Sequence, residues 1–130
     1  MAATYLDSSA LVKLAVEEPE SAALRRYLRR RRPLVSSALA RTEVLRSLLL
    51  EGEEALARGR SVLDRVDLIR VNDRILNAAA TLLPVEVRSL DAIHLATAQQ
   101  LEADLGRVVT YDERMLNAAT QLGIRTAAPT

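Results

Sequence analysis

Cysteine is absent from this 130-residue chain, which excludes a disulfide framework, a thiol nucleophile and a zinc–thiolate centre. Phe and Trp are absent too, and the aromatic content is three tyrosines, Tyr5, Tyr27 and Tyr111. Binding of single-stranded nucleic acid by base stacking normally needs more rings than that. Lys13 is the one lysine and His94 the one histidine, so lysine- or histidine-dependent chemistry has a single candidate each. No secretory h-region follows Met1, and no apolar run is long enough to cross a bilayer. The expected location is therefore the cytoplasm, with no membrane partner. Charge of one sign is also missing: the net charge is +1, so any contact with nucleic acid must come from local clusters of arginine.

What remains is the balance of a soluble globular protein, with 49% hydrophobic and 27% charged residues. The length fits one domain over residues 1–130 with a real core. The few glycines and prolines are scattered, and there is no repeat or low-complexity linker. Ala3–Leu6 reads as a short strand ending at Asp7, and Ala10–Ala15 as a helix capped by Asp7 or Ser8. A second helix is expected from Pro19 to about Arg31, and Leu34–Ser36 as a strand after Pro33. Leu39, Val44, Leu45, Leu48 and Leu49 mark a helix from Ser37 onward, broken by Gly52. Further helices are expected over Glu53–Val66, after Asn72 as cap through Leu83, from near Asp91 to Leu101, and from Asp112 to Leu122. Strands are expected at Leu68–Val71, Arg107–Tyr111 and Ile124–Thr126. Alternating strands and helices predict an α/β fold, with helices on both faces of a parallel sheet.

Two of these strands run into an aspartate, Asp7 and Asp112. In open parallel sheets the carboxyl ends of the strands form the binding crevice, so two acids delivered there can face one another. Each can also simply cap the helix that follows. Glu43 lies in line with leucines rather than on the wettest helix face; its alternative is an exposed pair with Arg41 or Arg46. Asp91 opens a helix that is apolar nearly all round, which carries it toward the interior, although capping is again the simpler role. Converging carboxylates repel: two unit charges about 5 Å apart cost about 3 kcal/mol at an effective dielectric of 20. A divalent cation relieves that repulsion, and an all-oxygen donor set points to Mg²⁺, with Mn²⁺ as a substitute. A carboxylate-bound metal in a crevice suits phosphodiester hydrolysis.

The residues carrying this pattern run in order: Asp7-Ser8-Ser9-Ala10-Leu11, Glu43, Leu90-Asp91-Ala92-Ile93-His94-Leu95-Ala96-Thr97-Ala98, and Thr110-Tyr111-Asp112. The series resembles the PIN-domain ribonucleases, and among them the VapC-type toxins of VapBC toxin–antitoxin pairs. The resemblance spans essentially the whole chain and is most specific over Leu90–Ala98. It implies a PIN-like α/β/α sandwich and a Mg²⁺- or Mn²⁺-dependent endoribonuclease whose acidic quartet is Asp7, Glu43, Asp91 and Asp112. Ser9 and Thr110 match supporting polar positions, and Asp112 falls where the family varies most. The implied partners are a VapB-like antitoxin, a structured RNA such as tRNA or rRNA, and a second copy in a homodimer. A non-catalytic PIN domain that binds RNA or protein is the alternative.

Other residues have two readings each. Lys13 either reaches a substrate phosphate or snorkels at the surface. His94, one turn after Asp91, either orients that carboxylate or is a hydrogen-bonded structural histidine. The arginines at 25, 26, 29, 30, 31 and 32 form a solvated face, a phosphate-guiding patch or a dock for an acidic antitoxin segment. A phospho-accepting receiver domain would need paired acids at the first strand and a late lysine. A phosphatase with an aspartate nucleophile would need an acid where Ser9 stands. Neither pattern is present.

Overall fold

The computed structural model describes residues 2–130. Its centre is strand β1 (Ala3–Leu6), buried along its whole length. Strands β2 (Leu34–Ser37), β3 (Asp67–Ile69), β4 (Leu105–Val109) and β5 (Thr126–Ala127) complete a sheet in the order β3-β2-β1-β4-β5. All four pairings are parallel, with Tyr5 opposite Val35 on one side and Val108 on the other. A parallel sheet must be covered on both faces, and the alternation of side chains along β1 shows how. Leu6 faces a core built with Leu11, Leu24, Leu28, Val44, Leu48, Val62 and Leu63. Tyr5 faces the opposite side, toward Val35, Ala98 and Val108.

The first face is covered by α1 (Ser8–Ala15), α2 (Ser21–Leu28), α3 (Ala40–Leu48) and α4 (Glu53–Asp64). Helices α6 (Ser89–Gln99) and α7 (Glu113–Gln121) cover the other, and α5 (Asp73–Ala80) packs on α6. The result is the expected three-layer α/β/α sandwich. Helices α3 and α4 meet closely because residue 59 is glycine: a Cβ there would lie 2.7 Å from Leu48 Cδ1. Gly52, at φ 95°, lets the chain reverse between them.

Several boundaries differ from the expectation. Pro19 sits in a turn, and α2 starts at Ser21 and ends at Leu28. Ser37 belongs to β2, where all four residues are buried, so α3 begins three residues later. Strand β4 stops at Val109, which leaves Thr110 and Tyr111 in the connection to α7. Helix α6 starts two residues before Asp91, after Arg88. Ser37 is ambiguous at short range, and burial in the sheet decides its state. No helix among the described residues is long and apolar enough to cross a membrane.

The topology places the crevice. From β1 the chain winds outward through β2 and β3, then crosses to β4 on the other side of β1. The winding reverses between β1 and β4, and ligands of open α/β sheets bind beyond the carboxyl ends at such a reversal. Asp7 follows β1 directly, and the Thr110–Asp112 connection follows β4.

Candidate active site

Asp7 is 4% exposed and heavily supported. Its Oδ1 accepts from Ser9 Oγ at 2.7 Å and from the Ala10 amide at 3.1 Å, while Oδ2 accepts from Thr110 Oγ1. The Ala10 bond makes Asp7 the N-cap of α1, so capping and site membership coexist here. Ser9 Oγ also accepts from the Tyr111 amide, and Thr110 Oγ1 from the Asp112 amide. The two supporting residues thereby tie the β1 and β4 ends together. Burial pushes the Asp7 carboxyl above its ordinary range, against the bonds from Thr110, Ser9 and Ala10. A carboxylate offers about four lone-pair sites; three are taken, and Oδ2 keeps one.

Glu43 projects from α3 but pairs with neither Arg41 nor Arg46. Its Oε1 accepts from Ser8 Oγ and from His94 Nε2, both at 2.6 Å. Burial works to raise its pKa, and the hydrogen bonds from His94 and Ser8 outweigh it, so the carboxyl titrates below its usual value. Oε2 receives no hydrogen bond among the described residues. Asp112 is exposed and caps α7 through Oδ1, which accepts from the Arg114 and Met115 amides. Its Oδ2 is unengaged as well.

Asp91 differs from the other three. It lies in the first turn of α6 but caps nothing, and neither oxygen has a hydrogen-bond partner among the described residues. Its pKa is raised, first by burial and then by the negative charges of Asp112, Asp7 and Glu43, with His94 opposing. Asp91 therefore lies within electrostatic reach of the other three acids. The four are not closed up: among the described residues no three of His, Asp and Glu stand together as a ligand set. The donor chemistry suits a hard divalent cation, because all four present oxygen and each keeps at least one lone pair unused. Asp91 is the one acid of the four with nothing among the described residues holding its oxygens.

His94 is 2% exposed and touches Glu43 rather than orienting Asp91. Its Nδ1 lies 2.7 Å from the Tyr5 hydroxyl. Tyr5 and Ser8 carried no signal for this role in the sequence, since partners 89 and 35 residues apart meet only after folding. Lys13 does not point at the acids as a free cation. Glu20 holds it at 2.8 Å and Glu18 at 3.5 Å, over the Tyr111 ring. The hydrogen bond to Glu20 raises its pKa. In the basic segment, Arg25 pairs with Glu17 and Arg31 stacks on Tyr27. Arg25, Arg29 and Arg32 border a cavity of about 260 Å³ with Leu34 and Val66, at the amino-terminal ends of β2 and β3 and so at the edge of the sheet away from Asp7.

With this geometry in place, comparison with known proteins gives a consistent result. The PIN domain profile matches residues 4–121. The chain is 64% identical over 129 residues to Ribonuclease VapC46 of Mycobacterium tuberculosis, covering 99% of each. Ribonuclease VapC35 of the same species is 43% identical over 129 residues, and Ribonuclease VapC47 38% over 130, each covering 96% of both chains. Among solved structures, the M. tuberculosis sarcin–ricin loop cleaving toxin VapC20 superposes with a TM-score of 0.77 at 15% identity, covering 98% of this chain and all (100%) of that one. A chain of a toxin–antitoxin complex from Klebsiella pneumoniae gives 0.75 at 20% identity, covering 98% of each. The chain belongs to the PIN-domain family. Within that family it groups with the VapC proteins, on identity that runs from end to end.

Proposed function

We propose that this protein is a metal-dependent endoribonuclease, the toxin of a toxin–antitoxin pair, that hydrolyses phosphodiester bonds in structured RNA such as tRNA or rRNA. One observation supports the reading: Asp7 and Asp112 follow the two strands between which the sheet reverses, and all four carboxylates keep an unused oxygen lone pair. Asp7, Glu43, Asp91 and Asp112 would hold Mg²⁺, or Mn²⁺ in its place. Such an ion supplies an acidified water as nucleophile and charge stabilisation at the scissile phosphate.

The chain's own residues set the frame for that chemistry. Ser9 and Thr110 fix Asp7 so that one lone pair of Oδ2 remains. Ser8 and His94 fix Glu43 by Oε1. Asp91 is free to turn toward whatever neutralises it. His94 is taken up by Tyr5 and Glu43 and is not a general base for the attacking water. Hydrolysis by water needs no covalent enzyme intermediate, and by analogy with the family it leaves a 5′-phosphate and a 3′-hydroxyl.

The partner in this reading is a VapB-like antitoxin, and a second copy completes a homodimer. Exposed Leu49 and Leu50 on one side, and Leu83, Val85 and Leu90 on the other, offer apolar surface for such partners to cover. A cytoplasmic location follows from the RNA substrate. Mapping RNA 5′-ends after induction tests the whole reading. New ends are expected with the wild-type chain and none with Asp7→Asn; identical ends from both would refute it.

A further inference from the structure

Helix α6 carries two side chains of very different standing, Asp91 and, one turn on, His94. Asp91 is unheld. His94 is buried, and both ring nitrogens are occupied, by the Tyr5 hydroxyl at 2.7 Å and by Glu43 Oε1 at 2.6 Å. Tyr5 stands on β1, Glu43 on α3 and Ser8 on α1, so a single chain of hydrogen bonds ties four elements. An ionised carboxylate only accepts, so Nε2 carries the hydrogen and donates it to Glu43. A neutral ring with its hydrogen on Nε2 accepts the Tyr5 O–H at Nδ1.

The second observation is where the donors land. Ser8 and His94 both bond to Oε1, and neither bonds to Oε2. Glu43 is part-exposed, with 23% of its side chain accessible, so the oxygen without a protein donor is open to solvent or to an ion. Here one oxygen is saturated and the other presented. Positions 91 and 94 also share a helix face, so the element that carries Asp91 sets the position of Glu43 relative to it.

We propose that His94, backed by Tyr5, is a positioning residue that clamps Glu43 through Oε1 and presents Oε2 to a divalent cation. This rests on the functional reading above. It goes further by assigning the clamp to a residue that touches neither substrate nor ion. Outer-shell partners of this kind typically change metal affinity or activity by about 10–100-fold when removed.

The chain has one histidine, so a ¹⁵N–¹H ring spectrum of the labelled full-length protein contains a single imidazole. The hydrogen is expected on Nε2, protected from exchange with water, and displaced in Glu43→Gln. Mg²⁺ titration should move that ring signal in a saturable way in wild type and not in Glu43→Gln. In parallel, Mn²⁺ affinity and RNA cleavage are measured for His94→Gln, His94→Leu, Glu43→Gln and the double variant His94→Leu/Glu43→Gln. Gln offers an N–H donor near the place of Nε2 and should stay within a few-fold of wild type. Leu should lose about 10–100-fold in kcat and in Mn²⁺ affinity, with KM for RNA little changed. The double variant should match Glu43→Gln, because His94 acts only through Glu43.

Losses that multiply in the double variant, a His94→Leu protein with wild-type Mn²⁺ affinity, or a Gln variant as impaired as Leu would each overturn the proposal. Should His94→Leu not fold, Tyr5→Phe removes only the rear hydroxyl, and an unchanged ring signal and Mn²⁺ affinity there would overturn it. A Glu43→Gln protein with unaltered Mn²⁺ affinity and cleavage overturns the clamp by removing its object. The ribonuclease reading then survives or fails separately, on the Asp7 and Asp91 variants.

Discussion

Asp7 and Asp91 are both acids at the crevice, and they are treated in opposite ways. Asp7 sits at the corner between β1 and α1 with three donors on its two oxygens, and those donors come from both sides of the β1–β4 reversal. Asp91 sits on α6 with no donor at all, amid the charges of Asp112, Asp7 and Glu43. One carboxylate belongs to the architecture as much as to the site. The other has no architectural task and is held against electrostatic cost. A half-buried charge that nothing in the fold satisfies is where function is most economically sought.

The largest test of that contrast is cleavage. Asp7→Asn and Asp91→Asn should both lose RNA cleavage by more than the roughly 100-fold upper range of an outer-shell change, measured as initial rates on a structured RNA. Stability should separate them. Thr110→Val removes a charge-assisted bond to buried Asp7 and should cost about 1.5–3 kcal/mol in denaturant unfolding, with a parallel fall in activity. Asp91→Asn should instead raise the melting temperature by a few degrees at neutral pH, because it removes repulsion without breaking a bond. An Asp91→Asn protein less stable than wild type would show that Asp91 does have a structural partner.

The same contrast has a pH signature. The folded-state pKa of Asp91 is raised, first by burial and then by Asp112. A group raised on folding favours the fold below its unfolded pKa, and that contribution is lost as pH rises through the folded value. The stability advantage of Asp91→Asn should therefore shrink as the pH falls into the acid range. Glu43 is shifted the other way, so its contribution is present above its unfolded pKa and is lost as pH falls through the lower folded value. Glu43→Gln should thus destabilise at neutral pH, the opposite sign to Asp91→Asn. The smallest effect expected is on the acid limb of the activity profile. Asp112→Asn removes one of the charges that raise Asp91 and should move that limb to lower pH in whatever activity remains.

Local chemistry was readable before folding, and long-range chemistry was not. Asp7 as a cap, Asn72 as a cap, Asp112 as a cap and Gly52 as a break all rest on a few consecutive residues, and all are found. So is the alternation that predicts a covered parallel sheet. Ser37 was misplaced because a short segment of mixed propensity takes its state from the sheet it joins, and Pro19 because it lies in the turn before α2 rather than opening the helix. Lys13 was free in the sequence because nothing there shows Glu20 folding back onto it. Of the two readings for His94, the hydrogen-bonded structural histidine is the one found, and the orienting contact to Asp91 is not. The partners of His94, Glu43 and Tyr5, lie 51 and 89 residues away and reach it only across the sandwich.

The central claim is that these acids share one hard cation, although as they stand no three of them form a ligand set. Mn²⁺ binding to the purified full-length chain, followed by the loss of the free-ion electron paramagnetic resonance signal, tests it most directly when wild type and Asp91→Asn are compared. Saturable binding by wild type that Asp91→Asn loses, with wild-type cleavage abolished by EDTA, is the predicted result. Equal binding by both proteins, or cleavage that persists in EDTA, would contradict it.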